Sequence, residues 1–227
     1  MPVELIAELA TGHGGDVDLA CDMVAAAAEA GAHTVKIQSY TLARLNPADP
    51  QAAWLTKAYL DEAAHVRIMQ ACAHHNVQFL STPFDAEALG MLRHLGVERF
   101  KIASTQSDET WWSGSGLAII ASRPWGRGRI CGVTNLTAIP LYPTPLECVG
   151  LVPVLEGWSD HCVGIQACQY AMARGARVVE AHLWIQRSRH MPWDKSPAEF
   201  AELRRFADAV ETMTTGVATH FRERWTA

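Results

Sequence analysis

Val17-Asp-Leu-Ala-Cys-Asp-Met-Val-Ala-Ala-Ala-Ala-Glu-Ala-Gly-Ala-His-Thr-Val-Lys-Ile-Gln-Ser39 is the stretch on which the fold turns. Its first half is rich in Ala, the best helix former, and carries apolar residues at helical spacing. Gly31 then stands where a helix C-cap is expected. Just beyond it the period changes, and His33-Thr-Val-Lys-Ile-Gln-Ser39 reads as a short strand. Upstream, Val3 to Leu9 is another short apolar run, joined to the helix by Gly12-His-Gly-Gly-Asp16. Strand, helix and strand within residues 3–39 make a βαβ unit, and therefore a parallel sheet.

The alternation continues outward. After a polar loop with Asn46-Pro47 and Asp49-Pro50, a helix is expected from about Leu60 to His75. Strand Val77–Ser81, helix Asp85–Leu95 and strand Arg99–Ala103 follow. Further on, Val163–Arg174 reads as a helix, Arg177–Leu183 as a strand, and Ser196–Met213 as a closing helix. Ser196-Pro-Ala-Glu199 supplies that helix with an N-cap, a proline at its first position and a capping-box acid. Seven or eight such units in one domain favour a closed TIM (β/α)8-type barrel spanning residues 1–227. An open dinucleotide-binding sheet should show GxGxxG after its first strand, which Gly12-His-Gly-Gly-Asp is not.

Between residues 105 and 141 the barrel reads as shortened or irregular. Leu117-Ala-Ile-Ile-Ala121 and Arg129-Ile-Cys-Gly-Val-Thr-Asn135 are two strand-like runs, and Ser122–Gly128 between them is too short for a crossover helix. Either a barrel helix is missing or one run is not a barrel strand; the missing helix is the favoured reading. The eight tryptophans, Trp111-Trp112 among them, are expected to cover the thinned side or face a partner subunit.

Composition narrows the function. With 49% hydrophobic and 19% charged residues the chain can bury a large core. A net charge of -5 argues against nucleic acid and against an anionic membrane surface. No apolar run approaches the ~18 residues of a membrane span, and the N-terminus has no basic leader region. Six cysteines without a CxxC pair read as reduced core thiols of a cytoplasmic protein.

In a parallel barrel the chemistry sits at the C-terminal strand ends. Those ends offer Glu8, Lys36 and Gln38, Ser81 and Thr82, Lys101 and Ser104, Ser159-Asp160-His161, and Glu180 with His182. Lysines inside apolar strands each need an anion, from the protein or from a ligand, because an unpaired buried ammonium is costly. Lys101, Ser104, Ser81 and Thr82 form a donor-rich wall suited to phosphate. The alternative, that Lys36 pairs with Glu8 as a structural ion pair, is open at this point. His161 and His182 end successive strands, and two imidazoles with a carboxylate or waters suit Mn²⁺, Fe²⁺ or Zn²⁺.

These residues resemble a family, the sialic acid synthases. The matching stretches are Ile6-Ala-Glu-Leu-Ala-Thr-Gly-His-Gly-Gly-Asp16, Ala30-Gly-Ala-His-Thr-Val-Lys-Ile-Gln38 and Phe79-Leu-Ser-Thr-Pro-Phe-Asp85. Phe100-Lys-Ile-Ala-Ser104, Tyr142-Pro-Thr-Pro145, Trp158-Ser-Asp-His161 and Glu180-Ala-His182 continue them in family order. The resemblance implies a TIM barrel that condenses phosphoenolpyruvate with an open-chain amino sugar, using Mn²⁺ or Mg²⁺ and releasing phosphate. It places Lys36, Thr82, Lys101, Ser104, Ser122, Asn135, Tyr142 and Ser159 on substrate. His161 and His182 fall at the metal positions, and Glu8, Gln38 and Asp194 near the reacting centre. It further implies a homodimer or other homo-oligomer.

The departures are on the acceptor side. Gly12 stands where the family has Asn, and Gln106 where it has an acid; an amide cannot serve as a base. Six residues separate Asn135 from Tyr142 where the family has about one, and the fifth crossover helix reads as deleted. The family's C-terminal antifreeze-like domain, with the arginine it lends to a partner's site, has no counterpart in these 227 residues. Three readings follow: a phosphoenolpyruvate-using synthase with a non-standard acceptor, a repurposed lyase, aldolase or isomerase, and a non-catalytic degenerate barrel.

Overall fold

The computed structural model describes residues 2–106, 110–124 and 126–225, with side chains described up to residue 215. Eight parallel strands run in chain order: β1 Glu4–Ala10, β2 Thr34–Ser39, β3 Gln78–Pro83, β4 Arg99–Ile102, β5 Ala118–Pro124, β6 Thr134–Ala138, β7 Gly157–Asp160 and β8 Val178–His182. The ladder order β3-β2-β1-β8-β7-β6-β5-β4 brings the two outer strands side by side, so the sheet closes into a TIM-type barrel. Among the described residues no hydrogen-bonded ladder joins β3 to β4. Side chains bridge the seam instead: Arg99 donates to Gln78 Oε1 at 3.0 Å, and Gln106 Nε2 donates to the Phe84 carbonyl at 2.7 Å.

Helices α1 (Val17–Glu29), α2 (Ala52–Lys57), α3 (Glu62–His74), α4 (Ala86–His94), α5 (Gln166–Ala173) and α6 (Pro197–Trp225) wrap the outside. Asp16, Asp61 and Asp85 cap α1, α3 and α4 by accepting from the backbone N–H groups of Leu19, Ala64 and Ala88. The capping box at α6 forms as its spacing indicates, with Ser196 Oγ accepting from Glu199 N and Glu199 Oε2 accepting from Ser196 N.

The thinning goes further than one helix. Among the described residues the crossings β4–β5, β5–β6 and β6–β7 all lack an α-helix. Both strand-like runs do yield barrel strands, but the second shifts: Arg129–Val133 lies outside β6, which starts at Thr134. The β6–β7 crossing contains Pro140, Pro143, Pro145 and Pro153, each without an N–H, and forms only a 3-10 turn at Leu146–Leu151. Trp112, 5% exposed, packs with Leu89, Phe100, Ile102 and Ala121, and Ile130 and Val133 lie on the same cluster. Tryptophan thus takes the place of helix on this side. Of the cysteines, Cys72, Cys162 and Cys168 are core thiols, whereas Cys131 is exposed on the β5–β6 connection.

Inside the barrel, alternate residues of each strand face inward and stack in layers. The bottom layer is polar: Arg99 forks onto both oxygens of Glu4 at 2.9 and 2.6 Å, with Thr34 and Gln78 completing its shell. Ile6, Leu80, Ile120, Leu136 and Val178 form the dry middle layer. One step higher, the same parity delivers Glu8, Lys36, Thr82, Lys101, Ser122, Ser159, Glu180 and His182 to the mouth.

Candidate active site

Lys36 on β2 and Lys101 on β4 are 3% and 2% exposed, so their charges have to be met inside the barrel. They are. Lys36 Nζ ion-pairs with Glu8 on the neighbouring strand, donates to Thr82 Oγ1 at 2.9 Å and lies 3.7 Å from Glu180. Lys101 Nζ forks onto Glu180 at 3.0 and 2.9 Å, and Ser159 Oγ donates to the same carboxylate at 3.1 Å. The Lys36–Glu8 pairing left open by the sequence therefore forms, and Glu180 is the second internal anion. Two ammonium groups and two carboxylates balance the layer.

Burial pulls the Lys36 ammonium down to about 7, with Glu180 opposing that shift and Lys101 adding to it. Burial alone would raise the Glu180 carboxyl, but Lys101 and Lys36 overcome it and hold the group below the usual carboxylate range. Burial brings His161 down to about 4. It takes His182 well below its ordinary value, with His161 and Lys36 adding to the effect. Both imidazoles are therefore neutral near pH 7 and keep a ring-nitrogen lone pair.

The two rings stand 5.5 Å apart, centre to centre. Tyr142 packs against His161 at 4.2 Å and against Trp193 at 5.6 Å, and His182 Nδ1 lies 3.5 Å from Asp194 Oδ1. Behind them Lys195, wholly buried, ion-pairs with Asp160 at 2.8 Å and donates to the carbonyls of Cys162 and Trp193. This strut fastens the end of β7 to the loop after β8 and so brings His161 and Asp194 to one place.

Two cavities open at this mouth. One, of about 230 Å³, is walled by Glu8, Lys36, Thr82, Lys101, Ser104, Ser122, Ser159, His161 and Glu180. The other, of about 350 Å³, is walled mainly by the β1 loop, Gln51, Leu55, Arg189, Met191, Trp193 and Asp194. They share Gln38, Tyr142 and His182. Buried side-chain atoms without a hydrogen-bond partner gather here: Ser122 Oγ, His161 Nδ1, Trp193 Nε1 and Asp194 Oδ1. Buried polar groups left unmatched in a native fold point to a polar ligand.

All but two of the residues that the resemblance places at the site line one cavity or the other. Of the other strand-end residues, Ser81 does not join the phosphate wall, since its hydroxyl is engaged with Ser39 Oγ at 2.6 Å and the Ile37 carbonyl at 3.2 Å. Asp160 is taken up by Lys195. Asn135 is the first correction. Because β6 runs Thr134–Ala138, Asn135 lies near its start and on its outer face. There its side chain accepts from Ile130 N and donates to the carbonyls of Ile130 and Val133, holding the shortened β5–β6 connection. Gln106 is the second, since its amide is engaged with Phe84 at the seam and lines neither cavity. Sequence reasoning passed over Lys195, Trp193, Arg189 and Trp54. A lysine directly after Asp194 was the available signal for the strut; the others sit on loops without periodicity.

Comparison with known proteins agrees with this geometry. The model of the NeuB family matches residues 23–111 and 134–220, which together are most of the chain. The chain belongs to the NeuB family. The gap between the two matched blocks coincides with the helix-poor side of the barrel. N,N'-diacetyllegionaminic acid synthase of Campylobacter jejuni is 28% identical over 88% of this chain and 73% of that protein. Pseudaminic acid synthase of the same species is 27% identical over 92% of this chain. The N-acetylneuraminic acid synthetase structure from Leptospira borgpetersenii, a citrate complex, superposes with a TM-score of 0.82 at 26% identity. It covers 94% of this chain and 85% of that one. The relatives of this NeuB-family chain are thus sialic acid synthase-type enzymes. Among the described residues no helix is long and apolar enough to cross a membrane.

Proposed function

We propose that this chain is a synthase that joins phosphoenolpyruvate to the aldehyde of an open-chain sugar, giving a 2-keto acid and phosphate. The observation that carries the reading is the pair of cavities meeting at Gln38, Tyr142 and His182. A carbon–carbon bond between two substrates needs two adjoining pockets of different character, open to each other at the reacting atoms.

The smaller cavity suits phosphoenolpyruvate. Lys36 and Lys101 supply cationic donors, and Thr82, Ser104, Ser122 and Ser159 supply hydroxyls, for one carboxylate and one phosphate. Glu8 and Glu180 hold the two ammonium groups in place, as preorganisation for an anion requires. C3 of phosphoenolpyruvate attacks the aldehyde carbon, water adds at C2, and the C2–O bond to phosphate breaks. Glu8, a carboxylate of the smaller cavity in register with His182 on the neighbouring strand, is the group to take a proton from that water, and the lysines stabilise the departing phosphate.

A divalent cation fits the donor set. His161 and His182 are neutral, and His161 Nδ1 and Asp194 Oδ1 are buried without a hydrogen bond. Among the described residues no cluster of three or more His, Cys, Asp or Glu is placed to hold a metal ion, so the protein's share of the ligands would be the two histidines. His161 and His182 would hold Mn²⁺ or Mg²⁺, with Asp194 beside them. When bound, the ion supplies Lewis-acid polarisation of the aldehyde oxygen.

The test is phosphate release from phosphoenolpyruvate with Mn²⁺ and a panel of aldoses and amino sugars, alongside a thermal shift with phosphoenolpyruvate alone. Release with at least one acceptor is expected. No release with any acceptor, together with no thermal shift, would sink the proposal.

A further inference from the structure

The second cavity differs from the first in its charges. Asp194 is the one carboxylate among its lining residues, and Arg189 is the one cation. Arg189 lines only this cavity, away from the residues it shares with the first.

Arg189 is held there by an arrangement that begins with two glycines. Arg189 N donates to the Gly12 carbonyl at 2.9 Å. A Cβ on Gly12 would stand 3.0 Å from the Arg189 carbonyl oxygen and 3.2 Å from that of Leu9, closer than nearly all Cβ contacts. The bare backbone therefore lets the loop after β8 dock on the loop after β1. Gly14, at φ +58°, leaves room for the Trp54 ring, which a Cβ would approach to 2.9 Å. Trp54 Nε1 is anchored on Thr11 Oγ1 at 3.0 Å. The guanidinium of Arg189 then lies over the Trp54 ring, 4.4 Å from its centre. Lys57 Nζ, 5.4 Å from the same ring, adds positive charge to this wall.

Stacking fixes the plane of the guanidinium but leaves its N–H groups unused. Among the described residues no carboxylate lies within ion-pair distance of Arg189, unlike Arg44, Arg67, Arg99, Arg129, Arg187 and Arg204, each of which has one. A planar cation, oriented on an aromatic face at the solvent-open rim of the cavity and paired with no carboxylate among the described residues, is suited to a bidentate anion. We infer that the acceptor carries a phosphate or carboxylate at the end remote from its aldehyde, and that Arg189 selects for it. This inference rests on the synthase reading above. It orders the acceptor in the cavity, with the aldehyde at His182 and Asp194 and the anion at the Trp54 wall. A cavity of about 350 Å³ is at the lower end for ligand pockets, which suits one monosaccharide bearing one such group.

The experiment compares matched acceptors that share a sugar skeleton: the neutral aldose, its terminal phosphate and its terminal uronate. kcat/KM is measured for each with phosphoenolpyruvate and Mn²⁺, in the wild-type chain and in Arg189→Gln and Arg189→Lys. The wild type is expected to prefer an anionic acceptor, and the two anionic arms show whether phosphate or carboxylate is the group taken. Arg189→Gln should lower the anionic-to-neutral ratio of kcat/KM about 10- to 100-fold, as loss of a charge-assisted pair does. The loss should fall on the acceptor's KM, and Arg189→Lys should restore part of it. A wild type that turns over the neutral aldose as well as both anionic forms would overturn the inference. So would an Arg189→Gln variant that loses all three equally. If no acceptor releases phosphate, the synthase reading fails on its own, and quenching of tryptophan fluorescence by the sugar phosphate decides the binding inference. Equal affinity of wild type and Arg189→Gln for the sugar phosphate would then refute it.

Discussion

Replacing Lys195 with methionine keeps the length of the side chain and removes its charge. In the wild-type protein neither Lys195 nor Asp160 has any exposed side-chain surface, and the ammonium uses three partners: Asp160 Oδ2 at 2.8 Å, the Cys162 carbonyl at 2.6 Å and the Trp193 carbonyl at 2.7 Å. Lys195→Met leaves the Asp160 carboxylate buried, with Trp158 Nε1 at 3.0 Å, Cys162 N at 3.3 Å and the weakly donating thiols of Cys162 and Cys168 as its remaining partners. It also leaves two carbonyls without a donor. Removing one partner of a buried pair costs about 3–5 kcal/mol, because the remaining charge is uncompensated. For a chain of this size each kcal/mol lowers Tm by about 2–4 °C, so a fall of roughly 6–20 °C is expected. Urea unfolding should show a lower midpoint with an unchanged slope.

The control is Asp160→Asn, alone and combined with Lys195→Met. The double variant buries no net charge, so it should be less destabilised than the sum of the two single changes. Additive effects, or a Lys195→Met variant within about 1 kcal/mol of wild type, would refute the strut. Because Asp160 lies between Ser159 and His161 and Lys195 follows Asp194, the same change should also weaken Mn²⁺ binding.

His161→Ala and His182→Ala should each abolish Mn²⁺ uptake in a calorimetric titration; retained uptake in the double variant would rule out the two-histidine site. Gln106→Glu cannot donate to the Phe84 carbonyl and should destabilise the fold by about 1–3 kcal/mol in urea unfolding; an unchanged midpoint would contradict the seam. At the bottom of the barrel, burial would raise the Glu4 carboxyl, but the Arg99 fork more than offsets it and leaves Glu4 below its ordinary 4.5. The stabilisation is therefore complete above the unfolded value and is lost as pH falls through the lower folded one. Glu4→Gln should flatten the acid limb of Tm against pH, and parallel curves for variant and wild type would show that Glu4 is not responsible.

Local signals made much of the barrel legible. Val17–Glu29 and Thr34–Ser39 form as a helix and a strand because their periods are unambiguous, and the capping box at Ser196 marks where α6 begins. Legibility failed where cover was at stake. Arg129–Val133 has the composition of a strand, but here Ile130 and Val133 serve as a lid over Phe100 and Ala121. β6 therefore starts at Thr134, and Asn135 turns outward to brace that lid. The two lysines announced that anions were needed. The strand order β2-β1-β8 sets Glu8 beside Lys36, one of the readings the sequence left open. Glu180, by contrast, meets Lys101 of β4 across the barrel, which no local signal announced. The Trp54–Arg189 wall was not legible, because its contacts join distant loops and its cause is the missing side chain at Gly12.

Gln106 ties the two departures together. By resemblance its position belongs to an acid, so the substitution reads as a loss at the substrate side. In the fold it is a gain at the seam. β3 and β4 have no hydrogen-bonded ladder, and from β4 to β7 no α-helix buttresses the outside among the described residues. A side chain that can donate to the Phe84 carbonyl therefore has structural value here that a carboxylate lacks. Gln106 lines neither cavity, so the charges of the second are set by its own residues, Asp194 as its carboxylate and Arg189 as its cation. The thinned barrel and the amide at Gln106 are then one adaptation: a side-chain donor holds a seam that has no ladder and borders the helix-poor side, and the anion site at Arg189 is built separately, on the loops after β1 and β8.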